Sequence, residues 1–269
     1  MNNLFLDQAP EYRLLCALFN ADPKAAAECF AGPIAFDAPR VGRAEDLEGL
    51  RKISAEWPLL FNVAPGAKVA TRFRTVGSGR AVSETIAAVA GVNGEPVRLP
   101  IAVAGELDPS GKLKEARIYH YEKAITGQSG TRTSPFKKTP DERLGRPEDL
   151  PDVNAKYFHA VSTFDVELAV SLFADGAYIE GGTWRVDTKP QIRRIYEHFL
   201  AGNEPMRLLF SAMTYDGSKF ALEWAAGHLA TRDSGITVYD RNKDDKLVGM
   251  RMYDFFDLRD IPGLNPSPI

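Results

Sequence analysis

Residues 116–123 read Ala-Arg-Ile-Tyr-His-Tyr-Glu-Lys, and residues 250–257 read Met-Arg-Met-Tyr-Asp-Phe-Phe-Asp. The two stretches align on their arginines, Arg117 and Arg251, and a tyrosine follows two positions later in both. Similar stretches in the two halves of a chain are typical of an internal repeat.

A second pair of stretches occurs earlier in each half of the chain. Residues 29–37 read Cys-Phe-Ala-Gly-Pro-Ile-Ala-Phe-Asp, and residues 172–180 read Leu-Phe-Ala-Asp-Gly-Ala-Tyr-Ile-Glu. Phe30 and Phe173 lie slightly further apart in the chain than Arg117 and Arg251, so the first copy is the longer one between these two landmarks. Two matching pairs in the same order favour a tandem duplication over coincidence.

The stretch between the copies has the composition of a linker. Residues 126–135 read Thr-Gly-Gln-Ser-Gly-Thr-Arg-Thr-Ser-Pro, and a charged stretch with prolines follows. The C-terminal residues are too rich in proline to continue a sheet. The predicted organisation is therefore domain 1 at 1–125, a linker at 126–151, domain 2 at 152–260 and a tail at 261–269.

Helices are predicted first and strands afterwards in each half. Apolar residues recur at helical spacing in 11–30, 44–56, 154–173 and 188–201. Strands are predicted at 68–76, 81–91, 97–107 and 113–122, and again at 206–215, 219–231, 235–240 and 246–257. This order predicts the α+β class, with each antiparallel sheet curved around its N-terminal helices.

The composition is that of a soluble globular protein, with 44% hydrophobic and 26% charged residues. A net charge of −3 gives no reason to expect a nucleic acid or an anionic membrane as partner. The N-terminus has no signal-peptide pattern, and no run reaches the roughly 18 apolar residues of a membrane span, so a cytoplasmic protein is expected. Cys16 and Cys29 fall about 20 Å apart along a helix, too far for a disulfide.

The chain resembles the NTF2-like (SnoaL-like) superfamily of cone-shaped α+β domains, as two tandem copies. Residues 253–258, Tyr-Asp-Phe-Phe-Asp-Leu, are similar to the closing strand of limonene-epoxide-hydrolase-like members. Residues 173–177, Phe-Ala-Asp-Gly-Ala, are similar to the helix-to-strand junction of ketosteroid isomerases. The resemblance implies the fold, but this fold hosts both enzymes and non-catalytic binders.

Three residues are candidates for catalysis. Asp254 aligns with the aspartate at the pocket centre of the epoxide-hydrolase-like family, and His120 holds the same place in the first copy. Either side chain is suited to a general base, and the alternative is a structural polar residue. The spacing from Tyr157 to Phe173 matches that of the oxyanion-hole tyrosine in ketosteroid isomerases. A packed helix tyrosine is the alternative.

The second copy is rich in aromatic residues, which favours a flat apolar or aromatic ligand. The set is Tyr178, Trp184, Tyr196, Trp224, Tyr239, Tyr253, Phe255 and Phe256. The candidates for substrate binding are Trp224, Trp184, His228, Tyr178 and Phe256. His228 is included because it shares the strand parity of Trp224. The histidine and cysteine spacings favour no metal site, and no cofactor is expected.

Neither resembled mechanism transfers directly. The isomerase base position falls on Ala38 and Gly181, neither of which takes a proton. The expected function is a cofactor-independent acid–base enzyme on a small apolar or aromatic molecule, either a lyase of the elimination or retro-aldol type or an isomerase. The alternatives are a non-catalytic binding or carrier protein and an assembly module. The tandem copies are expected to form an intramolecular pseudo-dimer, and a homodimer stays open.

Overall fold

A computed structural model of the chain describes residues 6–63, 66–128, 152–200, 208–226, 234–254 and 256–269, without the side chains of 208–211 and 225–226. The chain divides into two compact units, Met1–Gly130 and Thr131–Ile269. Most of the predicted linker, from residue 129 to 151, lies outside the described residues.

The first unit has four helices and six strands within its described residues. In chain order these are α1 (Pro10–Phe19), α2 (Pro23–Glu28), β1 (Phe36–Ala38), β2 (Gly42–Ala44), α3 (Leu47–Leu60), β3 (Val69–Gly77), β4 (Arg80–Ala90), β5 (Pro96–Leu107), β6 (Leu113–His120) and α4 (Lys123–Thr126). The strands form one sheet in the order β2-β1-β6-β5-β4-β3. Its apolar core lies between this sheet and α1, α2 and α3.

The second unit repeats the arrangement. Its elements are α5 (Asp152–Ser162), α6 (Val166–Ser171), β7 (Phe173–Gly181), β8 (Trp184–Val186), α7 (Lys189–Leu200), β9 (Leu208–Tyr215), β10 (Lys219–Ala226), β11 (Ser234–Arg241), β12 (Leu247–Tyr253), a 3₁₀ turn (Leu258–Asp260) and β13 (Ser267–Pro268). The sheet order is β13-β8-β7-β12-β11-β10-β9. The mixed α+β class is therefore confirmed.

The long strands of each sheet form an antiparallel meander, but one pairing in each sheet is parallel. Strand β1 runs parallel to β6, and β7 runs parallel to β12. The sequence predicted antiparallel sheets alone. The extra strands of the first unit, β1 and β2, have three residues each, too few to show an alternating pattern.

The same turn joins the first two helices in both units. Ala21 and Phe164 have positive φ angles of 53° and 57°, which ends the first helix of each pair. Asp22 then accepts hydrogen bonds from the backbone N–H groups of Lys24 and Ala25, and Asp165 accepts one from Leu168. These aspartates cap the second helix of each pair by satisfying N–H groups that have no partner within the helix.

The two sheets correspond position by position across six strands. Read across the strands, one row is Arg43, Asp37, Arg117, Ala104, Val82 and Thr75 in the first unit, and Arg185, Glu180, Arg251, Val238, Ala221 and Thr214 in the second. Both central arginines are buried. This common register is consistent with a tandem duplication.

Candidate functional site

An apolar cavity of about 70 Å³ lies in the second unit, between α5, α7 and the inner face of the sheet. Its lining consists of Tyr157, Phe158, Val161, Ile179, Ile195, Tyr196, Phe199, Trp224, Thr237, Tyr239, Met250, Met252, Asp254 and Phe256. A water molecule needs about 15 Å³ on this measure, so the cavity has room for roughly five waters or one small organic molecule.

The periods of strand and helix explain which residues reach this cavity. Thr237 and Tyr239 alternate on β11, and Met250 and Met252 alternate on β12, so each pair faces one side of the sheet. Asp254 continues that alternation one residue beyond the end of β12. The alternate positions of β12 face the other side of the sheet, and they are occupied by the buried residues Arg251 and Tyr253.

Three buried tyrosines form a cluster inside the cavity. The Tyr196 hydroxyl donates to the Tyr157 hydroxyl at 3.1 Å. The Tyr239 hydroxyl is also hydrogen-bonded to that of Tyr157, and the two rings meet edge to face with centroids 5.6 Å apart. The Tyr157 hydroxyl in turn points at the sulfur of Met250, 3.8 Å away. Tyr157 is therefore the phenol on which the other two converge.

The surroundings of the phenols keep them neutral at physiological pH. Burial raises the pKa of Tyr157 to about 12, although the hydrogen bonds from Tyr196 and Tyr239 lower it. Burial also raises the pKa of Tyr196 and of Tyr239 well above the ordinary value. Tyr157 accepts hydrogen bonds from both other phenols, which favours its own proton as the donor to a developing negative charge.

Polar side chains on the sheet connect to this cluster. The indole N–H of Trp224 donates to Thr237 Oγ1 at 3.1 Å. Thr237 is hydrogen-bonded to Tyr239, which lowers the pKa of that phenol against the larger effect of burial. The donors therefore form a chain from Trp224 to Tyr157, and each bond in such a chain polarises the next.

Asp254 supplies the carboxylate of the cavity. It is 9% exposed, and its Oδ1 accepts a hydrogen bond from the backbone N–H of Phe256 at 2.7 Å. Its negative charge contributes to the raised pKa of Tyr157, so carboxylate and phenol act on one another. The described residues that line the cavity include no lysine, arginine or histidine.

The structure brings together four of the residues singled out in the sequence. Asp254, Tyr157, Trp224 and Phe256 all line the cavity. Tyr196 and Tyr239 appeared in the sequence only as members of an aromatic set, and Thr237 and Met250 were missed. A threonine and a methionine on alternating strands carry no signal of their own, because their role depends on the helices packed above them.

Two of the predicted substrate-binding residues lie away from this cavity. Tyr178 lies on the opposite face of the sheet, where it contacts Arg251 and its hydroxyl donates to Asp240 at 3.2 Å. Strand parity explains this placement, because the neighbouring Ile179 is the residue that faces the cavity. Trp184 lies on β8, with the Arg259 guanidinium 5.0 Å from its ring centroid.

The two predicted histidines have different outcomes. His228 lies outside the described residues. His120 is buried in the core of the first unit, where its ring centroid is 6.0 Å from that of Trp57 and 5.4 Å from that of Phe61.

The first unit has none of the three clustered phenols, and its helix α3, which follows β2 as α7 follows β8, contains no tyrosine. In the alignment that pairs Arg117 with Arg251, Gly105 stands where Tyr239 stands in the second unit. In the alignment that pairs Phe30 with Phe173, Leu14 stands where Tyr157 stands. The hydrogen-bonded cluster around Tyr157 is therefore a property of the second unit.

Asn154 is a buried polar residue one helical turn before Tyr157. Its side chain is fully buried, and neither amide atom has a hydrogen-bond partner within the described part of the chain. In the alignment that pairs Phe30 with Phe173, the first unit has Glu11 here, which is also fully buried and is paired with Arg74 at 3.2 Å. The second unit thus keeps a polar side chain at this position without that ion pair.

None of the helices in the described ranges combines the length and the apolar character that a membrane crossing requires. Among the described residues, no group of three or more His, Cys, Asp or Glu side chains is arranged to hold a metal ion.

The second unit contains a stretch that is similar to a known protein family. Residues 155–261 match the SnoaL-like domain family. No curated protein has a significant sequence match to the chain. Every residue that lines the cavity lies within this matched stretch.

Solved structures with some likeness to the chain include the following three proteins. A candidate polyketide cyclase from Sinorhizobium meliloti is 20% identical, with a TM-score of 0.34, over 40% of this chain and 99% of that one. An NTF2-like protein of unknown function from Cytophaga hutchinsonii is 13% identical, with a TM-score of 0.33, over 46% and 97%. A SnoaL-like protein of unknown function from Burkholderia thailandensis is 16% identical, with a TM-score of 0.33, over 37% and 88%. Identities and scores this low carry no argument about activity.

Proposed function

We propose that the SnoaL-like domain of this chain, residues 155–261, is a cofactor-independent acid–base enzyme that acts on a small neutral carbonyl compound. The observation that supports this most strongly is that one carboxylate, Asp254, and one converging phenol, Tyr157, face the same apolar cavity. A base and a hydrogen-bond donor on either side of a bound carbonyl are the two groups that enolisation requires.

In the proposed reaction, the Asp254 carboxylate removes a proton from the carbon next to the carbonyl group. The electron pair of that C–H bond moves into the carbonyl, and Tyr157 donates a hydrogen bond to the oxygen as it becomes negative. Returning the proton to another carbon completes an isomerisation. Expelling a group from the adjacent carbon completes an elimination, which is a lyase reaction.

A retro-aldol cleavage uses the same two groups. Asp254 then removes the proton of a β-hydroxyl group, the bond between the two carbons breaks, and the enolate that leaves is held by Tyr157. The apolar lining supports each of these reactions, because a hydrogen bond to a developing charge is stronger in a medium from which water is excluded. The absence of cations from the described lining favours a neutral substrate over a carboxylate or phosphate ester.

The test is deuterium exchange into the carbon acid positions of small ketones, starting with cyclopentanone and followed by proton NMR in D₂O. Asp254→Asn keeps an oxygen for the Phe256 N–H group but removes the base, so exchange should fall by about 10²- to 10⁴-fold. Tyr157→Phe should lower it by about 10²- to 10³-fold. His120→Gln serves as the matched control in the other unit and should leave exchange unchanged. Equal exchange in wild type and Asp254→Asn would contradict the proposal.

A carrier function is the second candidate, and the bond from Phe256 N–H to Asp254 favours it. That bond gives the carboxylate a structural role in the turn after β12, and this role alone would explain why an aspartate is present. A thermal-shift screen with phenolic, polyketide-like and terpenoid compounds separates the two. Compounds that stabilise wild type and Asp254→Asn equally, and that neither protein converts or exchanges, would establish the carrier.

A further inference from the structure

The phenol cluster ends on a sulfur atom. Met250 Sδ lies 3.8 Å from the Tyr157 hydroxyl and 3.7 Å from the Tyr196 hydroxyl. Both phenols are almost completely buried, and Met250 itself is 6% exposed. A thioether sulfur is a weak acceptor of hydrogen bonds compared with an oxygen. The cluster therefore directs its terminal donor, the Tyr157 hydroxyl, at a poor acceptor.

The direction of the hydrogen bonds makes Tyr157 the terminal donor. Its oxygen accepts the hydrogen bond from Tyr196, so its own proton is available to another group. Met250 Sδ is the acceptor that the structure places within reach of that proton. Because Met250 also lines the cavity, a molecule in the cavity competes with the sulfur for the same proton.

We propose that Met250 is a placeholder acceptor. In the free protein its sulfur accepts the hydrogen bond of the Tyr157 hydroxyl, and the oxygen of a neutral ligand replaces the sulfur on binding. Met250 thereby sets the affinity of the cavity for oxygen-bearing ligands. This rests on the proposed function in one respect, namely that Tyr157 is the group that binds the ligand oxygen. Met250 is a positioning residue, because it acts through the phenol and takes no part in bond making.

The affinity of the cavity for a ligand oxygen depends on which acceptor the Tyr157 hydroxyl has in the free protein. A buried donor without an acceptor is costly, and a weak acceptor removes part of that cost in the free protein. A ligand oxygen then has to displace only the weak sulfur contact. A stronger internal acceptor would stabilise the free protein and resist displacement. An apolar residue would leave the phenol unsatisfied and so make the ligand oxygen bind more tightly.

Strand β12 also contains a second methionine that serves as a matched control for Met250. Met252 lies two positions further along β12 and lines the same cavity. The described structure records no phenol donating to its sulfur. Leucine has nearly the volume of methionine, so Met250→Leu and Met252→Leu alter the cavity to a similar degree. They differ in whether an acceptor for Tyr157 is lost.

The experiment compares the dissociation constants of cyclopentanone and methylenecyclopentane, which have the same shape but differ in the acceptor oxygen. We expect Met250→Leu to tighten the binding of the ketone relative to the hydrocarbon by about tenfold. Met252→Leu should leave that ratio unchanged. Met250→Gln, with a strong internal acceptor, should shift the ratio the other way. A ratio that is the same in wild type and both Met250 variants would overturn the proposal.

The outcome is separable from that of the proposed function. If the ketone ratio shifts as expected but no variant or wild type catalyses deuterium exchange, the placeholder role stands and the enzyme proposal fails. If exchange occurs but the ratio is insensitive to Met250, the enzyme proposal stands and the placeholder role fails. Should Met250→Leu not fold, the shift expected for Met250→Gln decides the question alone.

Discussion

At the scale of single residues, the three buried phenols couple folding to alkaline pH. Their pKa values are raised in the folded state by burial, for Tyr157 to about 12, whereas an unfolded chain has tyrosines with a pKa of about 10. A raised folded pKa means that the stabilisation is complete below pH 10 and is lost as the pH rises towards and through the folded value.

The pH prediction follows for Tyr157→Phe. Between pH 10 and 12 each such phenol should lower the free energy of unfolding by about 1.4 kcal/mol per pH unit. As the pH rises through this window, the free energy of unfolding of the phenylalanine variant should therefore fall less steeply than that of wild type, by about 1.4 kcal/mol per pH unit. Urea unfolding at several pH values in this window measures both slopes. Identical slopes would show that Tyr157 does not ionise later in the folded protein than in the unfolded one.

Asn154 leads to a second prediction at this scale. Its buried amide has no partner among the described residues, so it lacks the hydrogen bonds that it would make with water in the unfolded chain. Asn154→Leu should raise the free energy of unfolding by about 1 kcal/mol, and Asn154→Asp should lower it because it buries a charge. Urea unfolding at neutral pH is the measurement. A less stable leucine variant would indicate that a bound water satisfies the amide.

At the scale of the strand, Gly235 on β11 creates the space that the site needs. It pairs with Trp224 across the sheet. A β-carbon at this position would lie 2.7 Å from the Asp254 Cβ and 2.8 Å from the Trp224 ring. Only a residue without a side chain leaves room at this position for both the Trp224 indole and the Asp254 side chain.

Gly235→Ala should therefore displace Trp224 or Asp254. We expect the ketone to bind several-fold more weakly, with a loss of about 1–3 kcal/mol in the free energy of unfolding. Gly32→Ala is the control, because a β-carbon there meets no atom within 4 Å. Titration with cyclopentanone and urea unfolding test the pair. Unchanged binding in Gly235→Ala would mean that the indole and Asp254 tolerate a shift.

The helices and strands also show which elements a periodic sequence pattern can predict. Strands β3 to β6 and helices α3 and α7 have enough residues to show their period, and their predicted bounds differ from the observed ones by a few residues. The three-residue strands show no period, and the parallel partner of β1, strand β6, is distant in the sequence. The tail was predicted to leave the sheet, which is wrong, because Ser267 and Pro268 pair with β8.

At the scale of the whole molecule, the sheets of the two units share their strand register, whereas the interiors of the two units differ. The row of residues that crosses the sheet keeps an arginine, an acid and a second arginine in both units. The inner faces differ, since the first unit packs His120 against aromatic rings while the second encloses a cavity. The repeat pattern in the sequence predicted the first property. The second depends on packing between helices and sheet, which no local pattern encodes.

The same limit applies to the site. Asp254 and Tyr157 were predicted as site residues because they match positions in the resembled families. Tyr196 joins the site because α7 places it above β12, and Met250 joins because its sulfur meets two phenols. These contacts link side chains from elements that are distant in the chain, so sequence spacing alone could not reveal them.

Strand β13 bears on how this sheet meets other molecules. Edge strands with free N–H and C=O groups invite pairing with a foreign strand, and hence aggregation. Here the edge beside β8 is occupied by a strand of two residues, one of which, Pro268, has no N–H group. A further strand would find too few donors to continue the ladder, so this edge of the sheet is protected against intermolecular strand addition.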